Sequence, residues 1–294
     1  MDFGRRDSVD DVRFDLPPLD PRSAAILAAR PAGAGTTVRI GAPVWSSRAF
    51  VGSLYPQGTR PADYLARYAE RLFAIELDAT YHRTPDPATI DGWCQRVGAS
   101  FRFCPKVPRF VTEPLDPDGA ARFFAAMARF GERLGPVLLQ LGPLHARTRL
   151  ADIERVLDAA GTTRLAVELR HRGWFSSRRL HDDAFRMLAE RGVGSVVSDT
   201  AGRRDACHAS FTTRTVFVRF QGNALHPSDR TRLDAWADRI AELGAAGAEA
   251  VYFFVHQPEE KTTTETITHL ANRLRTAHGL VAVPPPAQAA LFDV

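Results

Sequence analysis

The stretch AVELRHRGWF, residues 166–175, places a carboxylate, Glu168, two positions before a guanidinium, Arg170, with His171 next. On a strand, residues two apart share a face. The pair can therefore be an ion pair closing the end of a buried strand, or a carboxylate held ionised or tuned as a general base by its cations. Other apolar runs end in the same way. Glu76 and Asp78 close FAIELD, Lys106 closes FRFCPK, Gln140 interrupts PVLLQL, and Asp199 closes GSVVSD. Arg219 and Gln221 end TVFVRFQ, and His256 ends AVYFFVH. Glu76 with Glu168 supplies two acids, the set that hydrolysis or elimination uses. Only Lys106 and Lys261 are lysines among 38 basic residues. A lysine retained in so arginine-rich a chain marks a place for a compact ammonium with an accessible pKa, and we count Lys106 with Glu76, Glu168 and Asp199 as the candidate catalytic set. His171 caps the following loop or contacts substrate. Trp45 and Trp174, just past two of these runs, are packing residues or platforms for a flat ring. Glu76, Glu168, Asp199 and His256 together offer the mixed oxygen and nitrogen donors of a divalent-metal site. Lys106, Arg170 and Arg219 would repel that ion, so the metal-free reading is preferred and no cofactor is expected.

These residues need a scaffold that brings strand ends together. Strand-like runs at 37–42, 73–78, 101–106, 136–141, 164–170, 194–199, 215–221 and 250–256 alternate with helical patterns at 61–72, 87–97, 118–134, 149–160, 178–191, 229–246 and 262–278. Such alternation means βα units and a parallel sheet. Eight strands predict a closed (β/α)8 TIM-type barrel over 37–280, with an open doubly wound sheet as the alternative. Barrel strands are buried along their length and open at their C-terminal ends, which explains why buried runs finish in charge. Residues 1–36 read as a partly disordered extension with one short helix at 22–30, and 281–294 as a proline-rich tail.

The composition limits the function. Cys94, Cys104 and Cys207 are odd in number and contain no Cys-x-x-Cys pair, which suits a reducing cytoplasm and argues against a structural zinc site. No run approaches a membrane span or a signal peptide, so a cytoplasmic protein without membrane contact is expected. Glycine-rich nucleotide loops and the Gly-x-Ser-x-Gly elbow are missing, which removes the common NTPase, dinucleotide and serine-hydrolase classes. A net charge of +4 permits an anionic partner.

The motifs IGAPVW, LFAIELDATYHRTP, FRFCPKVPRFVT, GPVLLQLGP, AVELRHRGW and VFVRFQGN, in that order, resemble the domain of unknown function family 72, the YecE-like proteins. The resemblance implies a TIM-type barrel with a polar pocket at its C-terminal face and no established reaction. It adds Tyr81 and Arg83 to the candidate ligand contacts, beside Gln140, Arg170, His171, Trp174 and Arg219. Where such proteins usually carry His, in RFHG, this chain has Gln221, and FVHQPEE replaces an Asn-rich FNN.

With Arg83, Lys106, Arg170 and Arg219 facing inward, cations outnumber acids and an anion is the expected ligand. The leading expectation is a metal-independent hydrolase or lyase acting on a phosphorylated or nucleic-acid substrate. The alternatives are a non-catalytic nucleotide or nucleic-acid binder and a carbohydrate-processing enzyme. Finally, Gln288, Leu291 and Phe292 in QAALF resemble the short peptide by which bacterial proteins dock on the DNA sliding clamp, with Ala289 in place of its usual Leu.

Overall fold

The computed structural model describes residues 3–29 and 35–284. Its strands are β1 (Thr37–Gly41), β2 (Ala74–Leu77), β3 (Arg102–Pro105), β4 (Val137–Leu141), β5 (Leu165–Leu169), β6 (Phe175–Ser176), β7 (Arg179–Leu180), β8 (Gly194–Asp199), β9 (Thr215–Gln221) and β10 (Ala250–His256). Six of them form a parallel sheet in the order β1-β10-β9-β8-β5-β4, and β2 with β3 forms a separate parallel pair. The eight expected strands are thus present, but among the described residues no sheet closes on itself. The two breaks fall beside the shortest of the eight. At one, the Glu76 N–H donates to Ala42 O at 3.2 Å; at the other, the Val107 N–H donates to Leu138 O at 2.9 Å.

Helices cover the outer face, and their ends follow local chemistry. Pro21, Pro87, Pro117 and Pro227 open helices, where a missing N–H costs nothing, and Asp20, Asp86 and Asp116 cap three of them. Gly247 (φ 111°) and Gly279 (φ 66°) end the two long C-terminal helices in the left-handed region that glycine tolerates best. The helix expected from 178 begins only at Asp182, because β6 and β7 form a hairpin whose turn holds Ser177 and Arg178 at positive φ.

Strand alternation separates two cores. Leu139, Val167, Val197, Val218 and Phe253 point out into the large cluster beneath the helices. Ala74, Cys104, Leu138, Ala166, Val196, Phe217, Tyr252 and Phe254 form a second buried cluster on the inner face. Two residues further along each strand lie Glu76, Lys106, Gln140, Glu168, Ser198, Arg219 and His256, all buried. An apolar floor therefore carries a polar layer at the C-terminal strand ends.

The N-terminal extension is not a loose arm over residues 3–29. Helix Pro21–Leu27 packs Leu27 into the outer core, and Asp20 accepts from Ser210 Oγ at 2.6 Å. Ahead of it, the chain crosses the strand ends: Gly202 N–H donates to Gly4 O at 2.7 Å, and Phe14 lies against Arg204 and Arg232.

Candidate site at the C-terminal strand ends

Arg219 organises the polar layer. From β9 its Nε and Nη2 donate to Glu76 on β2 at 2.9 and 2.7 Å, and its Nη1 donates to both oxygens of Glu168 on β5 at 2.9 Å. Forked guanidinium geometry suits this bridging of two carboxylates. Glu168 also accepts from Ser198 Oγ at 2.5 Å and from Arg170 Nε at 2.9 Å. His256 Nε2 lies 3.3 Å from Glu76 Oε2. Burial alone would raise the pKa of Glu168, but Arg170, then Arg219 and Ser198, outweigh it and hold it at about 2. Burial likewise pushes Glu76 up, while Arg219 and His256 hold it well below the usual carboxylate range.

Lys106 is held by its own strand end. Its N–H donates to Thr80 Oγ1 at 2.8 Å, and that hydroxyl donates to Lys106 O at 2.7 Å. The ammonium rests 4.1 Å from the centre of the Tyr81 ring and 3.3 Å from Asp78 Oδ1. Gln140 stands opposite Glu168 in the β4–β5 register, is 8% exposed, and its buried Oε1 has no hydrogen-bond partner among the described residues. A cavity of about 280 Å³ opens beside the layer over Asp78, Gln221 and His256, with Phe50 and Arg5 in its wall.

Several expected members lie elsewhere. Asp199 is fully buried but faces outward, the neighbour of inward-facing Ser198. It pairs with Arg204, accepts from Arg232 Nε at 3.2 Å and Trp236 Nε1 at 2.8 Å, and is held ionised by those cations against the cost of burial. Trp174 is a core residue whose Nε1 donates to His145 O at 2.7 Å, and Trp45 packs edge-on against Trp93. His171 accepts from the Gly173 N–H and caps the turn after β5. Arg83 is exposed on the loop after β2. Without it the cations Lys106, Arg170 and Arg219 meet the acids Glu76, Asp78 and Glu168 one for one, so the expected cationic excess is not inside the layer.

The four-residue metal set is not assembled either: Asp199 faces the helices, and Arg219 occupies both remaining carboxylates. Among the described residues no group of three His, Cys, Asp or Glu side chains is placed to hold a metal ion. Ser198 was not singled out by charge at strand ends, although the two-residue period from Val196 points to it. No described helix is long and apolar enough to cross a membrane.

A parallel α/β sheet with its polar side chains gathered at the C-terminal strand ends defines the class. The chain belongs to the family described as protein of unknown function DUF72, whose sequence profile matches residues 39–290. It is 27% identical to the UPF0759 protein YecE of Escherichia coli O157:H7 over 281 residues, covering 87% of this chain and all of that one. YecE of E. coli strain K12 matches equally. A solved DUF72 family protein from Enterococcus faecalis superposes with a TM-score of 0.69 at 17% identity, over 87% of this chain and 100% of the other, which supports the fold.

Proposed function

We propose that the eight parallel strands act as one (β/α)8-type barrel whose mouth is the site of a metal-independent hydrolase or lyase taking a phosphorylated substrate, nucleotides and nucleic acid included. The backbone hydrogen bonds across the two breaks, Glu76 N–H to Ala42 O at one and Val107 N–H to Leu138 O with Gly135 N–H to Phe103 O at the other, support the barrel reading. The site reading rests on one observation: Glu168 is flanked by a buried acceptor, Gln140 Oε1, without a donor among the described residues, and by the two cations nearest the mouth, Lys106 and Arg170. A substrate N–H or O–H would satisfy Gln140, and a phosphate would engage Lys106 and Arg170.

With a pKa near 2, Glu168 as held is too weak a base for work at neutral pH. Arg170 is the largest attractive influence on that value, and its side chain is 11% exposed against 2% for Arg219. A phosphate that draws Arg170 off Glu168 raises the carboxylate's proton affinity as substrate binds. Glu168 then takes the proton, while Glu76 stays fixed by Arg219.

A second reading, a receptor without turnover, is favoured by the complete pairing of both acids in the free chain. The carbohydrate reading loses its support: neither acid is poised to be protonated, as a glycosidase requires of one of them, and both tryptophans are packing residues. We read residues 288–292, outside the described residues, as a tether to the DNA sliding clamp, with two apolar anchors contributing ~1.5–3 kcal/mol each before ordering costs. Titrating purified clamp with the 283–294 peptide and its Leu291→Ala/Phe292→Ala form tests the tether; equal binding by both refutes it.

The reaction is tested with chelator-treated protein and a panel of phosphomonoesters, phosphodiesters and single-stranded oligonucleotides. Turnover that disappears in Glu168→Gln supports the enzyme. Binding without turnover supports the receptor, and neither refutes both.

A further inference from the structure

The cations missing from the mouth are found beside it. A cavity of about 1170 Å³ lies between residues 3–15 and the loops after β5 and β8, lined by seven arginines and three aspartates. The pairing inside it is uneven. Arg6, Arg178 and Arg203 take Asp11, Asp15 and Asp205 at 3.0, 2.7 and 2.7 Å, and Arg204 takes Asp199 from beneath. Arg5, Arg13 and Arg172 line the same cavity, are exposed, and form no ion pair among the described residues, although Arg172 lies close enough to Asp205 to help hold it ionised. So many guanidinium groups facing one space repel each other and stay hydrated unless an anion joins them.

We propose that this basin is a second binding site, for an anion carrying several phosphate groups, held by Arg5, Arg13 and Arg172. Guanidinium forks match phosphate oxygens, and three exposed forks, two on the N-terminal segment and one after β5, call for more than one phosphate. The size agrees, being above the roughly 300–1,000 Å³ usual for small-molecule pockets. Half of the wall comes from the N-terminal extension, which precedes the family match beginning at residue 39. The basin also borders the mouth: Phe3 stacks on both Arg170 and Arg203, with ring centres 4.5 and 4.9 Å from the guanidinium carbons. The same phosphate chemistry has two sources, a free polyphosphate and the backbone of a single-stranded nucleic acid.

The full-length protein is titrated by calorimetry with inorganic tripolyphosphate and separately with a short single-stranded oligothymidylate, over a series of salt concentrations. The wild type, Arg13→Ser/Arg172→Ser and Lys106→Arg are compared; Arg5 is left in place because it also lines the cavity at the mouth. The expected result is binding that the double variant weakens about tenfold or more and that Lys106→Arg leaves unchanged. For the oligonucleotide, the log–log salt slope falls by about 1.4 in the double variant, at ~0.7 per phosphate contact. Weakened tripolyphosphate binding alone identifies a small polyanion, and weakened oligonucleotide binding alone identifies a strand; either result upholds the basin. Binding that the double variant retains would overturn it, placing the anion at the mouth if Lys106→Arg loses it, as would no binding of either probe. Arg13 and Arg172 form no ion pair among the described residues, so a matching thermal midpoint checks that the variant is folded.

Discussion

Two buried ionic networks lie within one residue of each other on β8. Ser198 points inward to Glu168, Arg219 and Glu76; Asp199 points outward to Arg232, Arg204 and Trp236. Both networks pair acids with arginine, and in both the carboxylate is held ionised despite burial. They differ in what surrounds them. The outer network is sealed by the helix Pro227–Ala246 and by the rings of Phe14 and Phe220 over Arg232. The inner one adjoins a cavity, an acceptor without a donor among the described residues, and a lysine resting on a tyrosine. A charge at a strand end therefore does not mark a site; the side of the sheet it faces does.

Substitutions in the two networks should separate stability from ligand binding. Arg219→Leu leaves two buried carboxylates without their common partner and should cost ~3–5 kcal/mol, read by urea denaturation, with loss of any mouth ligand. Asp199→Asn weakens charged hydrogen bonds on the outer side only. It should cost ~1.5–3 kcal/mol and leave ligand binding and turnover as in the wild type.

Acid should act on the inner network in a defined window. Glu168 titrates at about 2 in the folded chain against an ordinary 4.5, so it binds fewer protons folded than unfolded. Its contribution, on the order of 3 kcal/mol, is complete above the unfolded value and is lost as pH falls from about 4.5 towards 2. Glu168→Gln should flatten that part of the stability–pH curve. The smallest stability effect belongs to Lys106→Arg, about 1 kcal/mol for a bulkier group at a buried position, and it should also reduce ligand binding because the forked group cannot take the ammonium's place over Tyr81. An unaltered affinity would return Lys106 to a structural role.

The eight strands were legible because each is a short apolar run bounded by turn residues, and all fall close to their expected bounds. Glu76, Lys106, Gln140, Glu168, Arg170 and Arg219 were legible because a charged or amide side chain inside such a run needs a reason. Asp199 misled because position at the strand's end was weighed above the two-residue period, which selects Ser198. The tryptophans left two readings open because a ring next to a site has the same sequence signature whether it stacks on ligand or on Trp93 and the core. The arginine basin could not be foreseen, since residues 3–15 meet the β8 loop only through the fold.

The central claim, that the inner network and not the outer one receives a ligand, is tested most directly by a crystal structure of the protein soaked with inorganic phosphate. The account predicts phosphate at the mouth against Lys106 and Arg170, with the Arg170–Glu168 pair opened, in addition to any phosphate in the basin. Phosphate confined to the basin, with Arg170 still on Glu168, would contradict it.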